Sequence, residues 1–267
     1  MKNKFFTITL YFIFLGLFFF PSFAYGKVSV GIGPEYFLWR EYSPTGQPLL
    51  EEAGYRYSLR LHWTENRSDG VLFGYHGKLY GGTVIYNGQT LATPPTPVTT
   101  DTFYSGFLSE GELIFRLPLE SAGNIDGIVR LGWDHWTRNI KNQNNSQLED
   151  YDILFLKLGS AYGQISEKGL WVGGGIKLPF YTFENAYLNT IGFDQNPALH
   201  PGRQLSFYLD IGLRLNSKLE FIGYYDSYRF SESPKENVTQ NGAPAGVVFQ
   251  PKSYMDLIGV QAIYHFH

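Results

Sequence analysis

Every second residue from Leu205 to Leu215 is apolar. Leu205, Phe207, Leu209, Ile211, Leu213 and Leu215 are interleaved with Ser206, Tyr208, Asp210, Gly212 and Arg214. A period of two belongs to an extended strand with one apolar and one polar face, and no helix presents it. The same pattern recurs in Tyr55, Tyr57, Leu59, Leu61 and Trp63, set against Arg56, Ser58, Arg60, His62 and Thr64. Followed along the chain, it predicts about ten strands, near 28–42, 54–65, 70–86, 103–118, 126–140, 151–165, 169–183, 204–216, 218–231 and 252–266. Strands of roughly 11 residues or more are long for a soluble sheet and suit a tilted membrane crossing.

The connections alternate in length. Short turns fall at Asn66-Arg67-Ser68-Asp69, Ser121-Ala122-Gly123-Asn124, Ser166-Glu167-Lys168 and Asn216-Ser217. Long loops fall near 43–53, 87–102, 141–150, 184–203 and 232–251, and Thr93-Pro94-Pro95-Thr96-Pro97 lies in one of them, where proline removes no ladder bond. An even strand number with short turns at one end and long loops at the other predicts an all-β, antiparallel up-and-down transmembrane barrel. Its two chain ends would lie on the periplasmic side. Residues 25–267 read as one barrel domain with no linker.

Ahead of it, Lys2 and Lys4 precede an apolar run from Phe5 to Phe20 that Pro21 and Ser22 break. Ser22-Phe23-Ala24 then offers small residues for cleavage, so residues 1–24 read as a secretory signal peptide. The alternative for this run is a membrane anchor. No later segment approaches the ~20 apolar residues of a transmembrane helix.

Composition narrows the class. With 43% hydrophobic residues the chain is not a disordered one, and a net charge of −3 is not that of a general nucleic-acid binder. Zero cysteines exclude disulfides, thiolate metal sites and cysteine nucleophiles. Alternation alone does not say which face is inside. Gly31, Gly33, Gly74, Gly82, Gly106, Gly132, Gly159, Gly173, Gly175 and Gly212 share the polar face, while Gly77, Gly111, Gly174 and Gly223 do not. Small residues suit the crowded concave side of a small barrel. Tyr36, Trp39, Tyr42, Tyr55, Trp63, Trp133 and Tyr225 stand near strand ends, where interfacial girdles form. Both features put the polar face inside, against the alternative of a soluble barrel with an apolar interior.

The last strand carries Ile258, Val260, Ala262, Tyr264 and Phe266 on one face. In this the chain resembles bacterial outer-membrane β-barrel proteins, without pointing to one named family. The resemblance implies residence in the bacterial outer membrane among lipid and lipopolysaccharide. It also implies recognition by the barrel-assembly machinery through a terminal signal at Tyr264 and Phe266, although His267 follows the Phe.

An inward polar face would fill the lumen with Glu35, Arg56, Arg60, His62, His76, Lys78, Glu110, Glu112, Arg116, Arg130, Asp134, Arg138, Lys157, Lys177, Asp210, Arg214, Glu220 and Asp226. Enclosed charges must be paired or hydrated, so an ion-pair network is expected. Glu110 and Glu112 would face Arg130, and Asp210 and Arg214 would meet Lys177 or Glu220. Eight strands just fill their interior, and wide pores need about sixteen. The expected function is therefore a surface or structural barrel with a charge-filled, narrow lumen. One alternative is a narrow solute-diffusion pore, and another is an omptin-like or lipid-modifying hydrolase at the extracellular rim. For the latter, Asp134-His135 is the nearest pair, but adjacent strand residues point to opposite faces. Asp226 with His76 or His62 is the other candidate. No catalytic set, metal-ligand spacing or cofactor motif stands out, and Gly173-Gly174-Gly175 has no following helix to hold a phosphate. Binding residues concentrate in loops. A possible extracellular ligand is therefore expected at loop 184–203, with Phe193, Asp194, Asn196 and His200, and at loop 232–251, with Asn237 through Gly242.

Overall fold

The computed structural model describes residues 26–89, 95–119, 123–141, 146–163 and 168–266. The predicted signal peptide, Thr93-Pro94, Ser121-Ala122, Ser166-Glu167 and His267 lie outside the described residues. Among the described residues there are fourteen strands: β1 (Gly26–Tyr42), β2 (Pro48–Glu65), β3 (Gly70–Gln89), β4 (Pro97–Leu119), β5 (Gly123–Lys141), β6 (Ser146–Gly163), β7 (Gly169–Tyr187), β8 (Ala198–Leu199), β9 (Gly202–Gln204), β10 (Ser206–Arg214), β11 (Leu219–Ser231), β12 (Glu236–Gln240), β13 (Ala243–Val248) and β14 (Lys252–Phe266). Ten of them, β1 to β7 with β10, β11 and β14, close into one antiparallel ring. The seam is β1 against β14, in register from Val28 opposite Phe266 to Tyr42 opposite Lys252.

Side-chain parity divides the wall. Ile258, Val260, Tyr264 and Phe266 point outward and are exposed, as are Leu205, Phe207, Leu209, Ile211 and Leu213. The charged partners of these stripes point inward and are buried, Glu35, Arg56 and Lys177 among them. Together the outward residues form an apolar belt. It ends toward the loop end, where the outward positions of β5 pass from Leu131 and Trp133 to His135, Thr137, Asn139 and Lys141.

Inward glycines leave the space that rings need. A Cβ on Gly132 would sit 2.2 Å from the Phe155 ring, whereas one on Gly111, which faces outward, would meet nothing within 4 Å.

Three sequence expectations need correction. The strands run further toward the loop end than predicted, so β1 and β2 are joined by residues 43–47 alone. Beyond the apolar belt both faces of a strand are polar, as at the outward pair Arg40–Glu51 (2.8 Å), and the alternation that marks a strand fades there. Loops 184–203 and 232–251 also have structure of their own: a 3-10 turn at Leu188–Ile191, the short strands β8 and β9, and the β12–β13 hairpin. Finally, Trp39 is no girdle residue. It shares the parity of Glu35 and Phe37 and is buried inside the barrel, whereas Trp63 keeps the outward parity of Leu59 and Leu61 and packs over Gly26.

Candidate functional site

The lumen is filled in three tiers. At the loop end Arg138 on β5 collects carboxylates from several staves. Its Nη1 donates to Glu149 (2.7 Å) and Glu41 (3.4 Å), and its Nη2 to Glu52 (3.0 Å). Glu41 lies on β1, across the ring from β5. Gln250, Tyr104, Thr102 and Trp39 donate further hydrogen bonds to these acids. Three buried carboxylates around one guanidinium need such donors, because an uncompensated buried charge is strongly unfavourable.

The middle tier combines ion pairs with aromatic packing. Glu35 accepts from Arg56 Nε (3.1 Å), Lys78 (3.2 Å) and Tyr224 (2.6 Å). Asp134 accepts from Tyr80 (2.6 Å) and Tyr228 (2.9 Å). Asp226 pairs with Lys177 and with Lys157 (2.9 Å), and Lys157 also reaches Glu110 (2.8 Å). Around them Phe37, Trp39, Trp136, Tyr151, Phe155, Tyr228 and Phe230 pack as one buried cluster. The Arg56 guanidinium lies 4.4 Å from the Phe37 ring centre, within cation–π range. Sequence reasoning named the charges of this tier and missed its rings. The signal was available, since Phe37 and Trp39 alternate in step with Glu35.

The tier at the turn end is looser and encloses a cavity of about 320 Å³. Glu112 pairs with Arg130, Arg116 with Asp126 (2.7 Å), and Glu220 with Arg214 (3.2 Å) and His265 (2.7 Å). Arg60 lies over the Tyr224 ring. Asp210 lines the same cavity near Arg130 and Arg60. The expected Asp210–Lys177 contact does not form, because Lys177 lies nearer the loop end and is taken by Asp226. His62 and His76 stack face to face beside Glu112, with ring centres 4.0 Å apart.

Above the barrel the two long loops are docked on each other. Ala186, Leu188, Leu199 and Val238 form a small buried core, with Ile191, Phe193 and Val248 packed against it. Asp194 is its polar latch. Its carboxylate accepts from the Thr239 hydroxyl (2.6 Å) and from the backbone N–H groups of Asn241 (3.0 Å) and Gly242 (2.9 Å). Asn241 and Gly242 both have positive φ, as a two-residue hairpin turn requires. The three hydrogen bonds hold the Asp194 carboxyl below its ordinary pKa, the Thr239 bond most of all. Gln195 adds two more contacts to Thr239.

The candidate hydrolytic residues are engaged by other partners. Asp134 is bound to two tyrosines inside, while His135 points outward to Asp152 (3.0 Å). Asp226 lines the same cavity as His62 and His76, but its carboxylate is held by two lysines and not by either histidine.

A closed antiparallel ring of ten staves, charged within and apolar without, decides the class. The chain has the fold of outer-membrane β-barrels. The outer membrane protease OmpT from Escherichia coli matches it with a TM-score of 0.55 at 10% identity, over 90% of this chain and 96% of that one. An outer membrane channel from Pseudomonas putida F1 gives a TM-score of 0.42 at 9% identity, over 90% and 95%. The attachment invasion locus protein Ail of Yersinia pestis gives 0.30 at 11%, over 91% and 99%. At such identities the likeness is one of fold alone. No protein-family model matches the chain, and no curated protein matches it in sequence.

Proposed function

We propose that the chain is a surface protein of the bacterial outer membrane, a barrel whose lumen is plugged and whose working part is the loop platform above it. The apolar belt supports the membrane setting, since lipid-facing staves alternate apolar-out and polar-in. Tyr264 and Phe266 at the end of β14 would serve as the signal to the assembly machinery, and lipid and lipopolysaccharide would surround the belt. The latched loops 184–203 and 232–251 would carry the contact with an extracellular ligand.

The observation that carries the closed-lumen reading is the cross-lumen bonding of Asp134 to Tyr228 and of Arg138 to Glu41. Both join opposite walls through buried side chains, and the surrounding rings pack against them. The pore alternative requires a water-filled path where these groups meet. Planar-bilayer recording of the refolded protein tests the choice. A silent membrane is expected, and stable unitary conductance steps would overturn the closed lumen.

A further inference from the structure

We propose that His62, His76 and Glu112 form a binding site for a divalent transition-metal ion of the zinc class, open to the cavity at the turn end of the lumen. The three side chains come from adjacent staves: His62 on β2 is directly opposite His76 on β3, and Glu112 on β4 is opposite Gly74, two residues before His76. One ring nitrogen from each histidine and one Glu112 oxygen all lie within 4.8 Å of one another. Glu112 Oε1 is 3.3 Å from His76 Nε2 and 3.9 Å from His62 Nε2. Two ligands on one tetrahedral zinc, each bonded at about 2.0–2.1 Å, stand roughly 3.4 Å apart. The first spacing already matches, and rotation of the His62 ring would bring in the second.

Four further features favour an ion here. The Nε2 atoms of both imidazoles approach the same carboxylate oxygen, and a shared ion would turn the rings out of their 13° stack. The other Glu112 oxygen is occupied by Arg130, which fixes the carboxylate as a partner of a metal ligand does. Arg130 itself lies among Glu110, Glu112 and Asp210, which offset its charge. A Cβ at residue 74 would stand 2.8 Å from Glu112 Oε1, so the glycine leaves the carboxylate its place. All three ligands line the cavity, which supplies water for the fourth position. The Thr64 hydroxyl, now 2.6 Å from His62 Nε2, would give way to the ion. Histidine and carboxylate ligands with an open position are the donor set of zinc-class ions, not of calcium or magnesium. Because the site lies below the plug, its ion would enter from the turn end. The proposal stands independently of what the loops bind.

The test is isothermal titration of Zn²⁺ alone into the refolded full barrel in detergent, with Co²⁺ absorption as the spectroscopic readout. One ion per chain is expected, with visible Co²⁺ bands of four-coordinate intensity. His62→Ala and His76→Ala should each weaken binding by about tenfold or more and remove the Co²⁺ bands, while His200→Ala leaves both unchanged. Heat-modifiable gel mobility checks that each variant is folded. The two histidine variants keep the Glu112–Arg130 pair, which Glu112→Gln would break. Absence of Zn²⁺ binding, or equal binding by a folded His62→Ala/His76→Ala double variant, would overturn the site.

Discussion

Asp134 and Tyr228 meet at 2.9 Å from opposite walls of the ring, and Tyr80 approaches the same carboxylate from a third stave. One acid thus ties three staves that are not neighbours in the sheet. Such a cross-brace makes the middle tier a packed core with charged members.

Removal of the brace should show in unfolding. Asp134→Ala strands two buried phenols, each worth about 1–3 kcal/mol when left unpaired. A loss of about 2–5 kcal/mol is expected, against about 1 kcal/mol for Tyr228→Phe, which removes one donor. Urea unfolding followed by gel mobility measures both. Equal effects would show that the acid serves Tyr228 alone.

Arg138 and Arg40 offer a contrast between buried and exposed pairing. Arg138→Ala leaves Glu41, Glu52 and Glu149 buried without their cation, a change that costs about 3–5 kcal/mol. Arg40 and Glu51 are each more than two-fifths exposed, so Arg40→Ala should cost at most about 1 kcal/mol. Added salt should weaken the second pair and leave the first nearly unaffected.

The loop platform should respond to acid. The Asp194 carboxyl lies below its ordinary value of 3.8 because Thr239, Gly242 and Asn241 donate to its ionised form. Its contribution is therefore complete above that ordinary value and is lost as pH falls through the lowered one. Hydrogen exchange at the Asn241 and Gly242 amides should be slow at neutral pH and accelerate, after correction for intrinsic rates, below about pH 4. Asp194→Asn should show the loosened state at every pH, and a variant as protected as the parent would refute the latch.

Glycine positions report which side of the wall is crowded. Gly132→Ala should destabilise by about 1–3 kcal/mol through overpacking against Phe155. Gly111→Ala meets open space and should be neutral or slightly stabilising, since glycine weakens a strand interior. Paired urea midpoints decide it.

The fold was legible because alternation holds wherever one face of a stave is apolar, as from Leu205 to Leu215. It faded beyond the belt, where Arg40 and Glu51 are both polar and outward. The inward charges could be read from parity, but their pairing could not. Tilt and stagger set which rows align, so Lys177 met Asp226 and not Asp210. The stacking of His62 on His76 was hidden for the same reason: it depends on the register of β2 with β3. Asp194 stood out only as a loop acid, because its three partners come from a hairpin more than forty residues away.

The seam joins the first stave to the last, and Glu35 on β1 takes a hydrogen bond from Tyr224 on β11, beyond that seam. Neither the wall nor its filling can be finished until β14 arrives. A nascent chain lacking that stave would expose two raw edges and leave the Glu35 carboxylate without its distant phenol. Closure of the ring and completion of this buried contact therefore both wait on the last residues of the chain to be made.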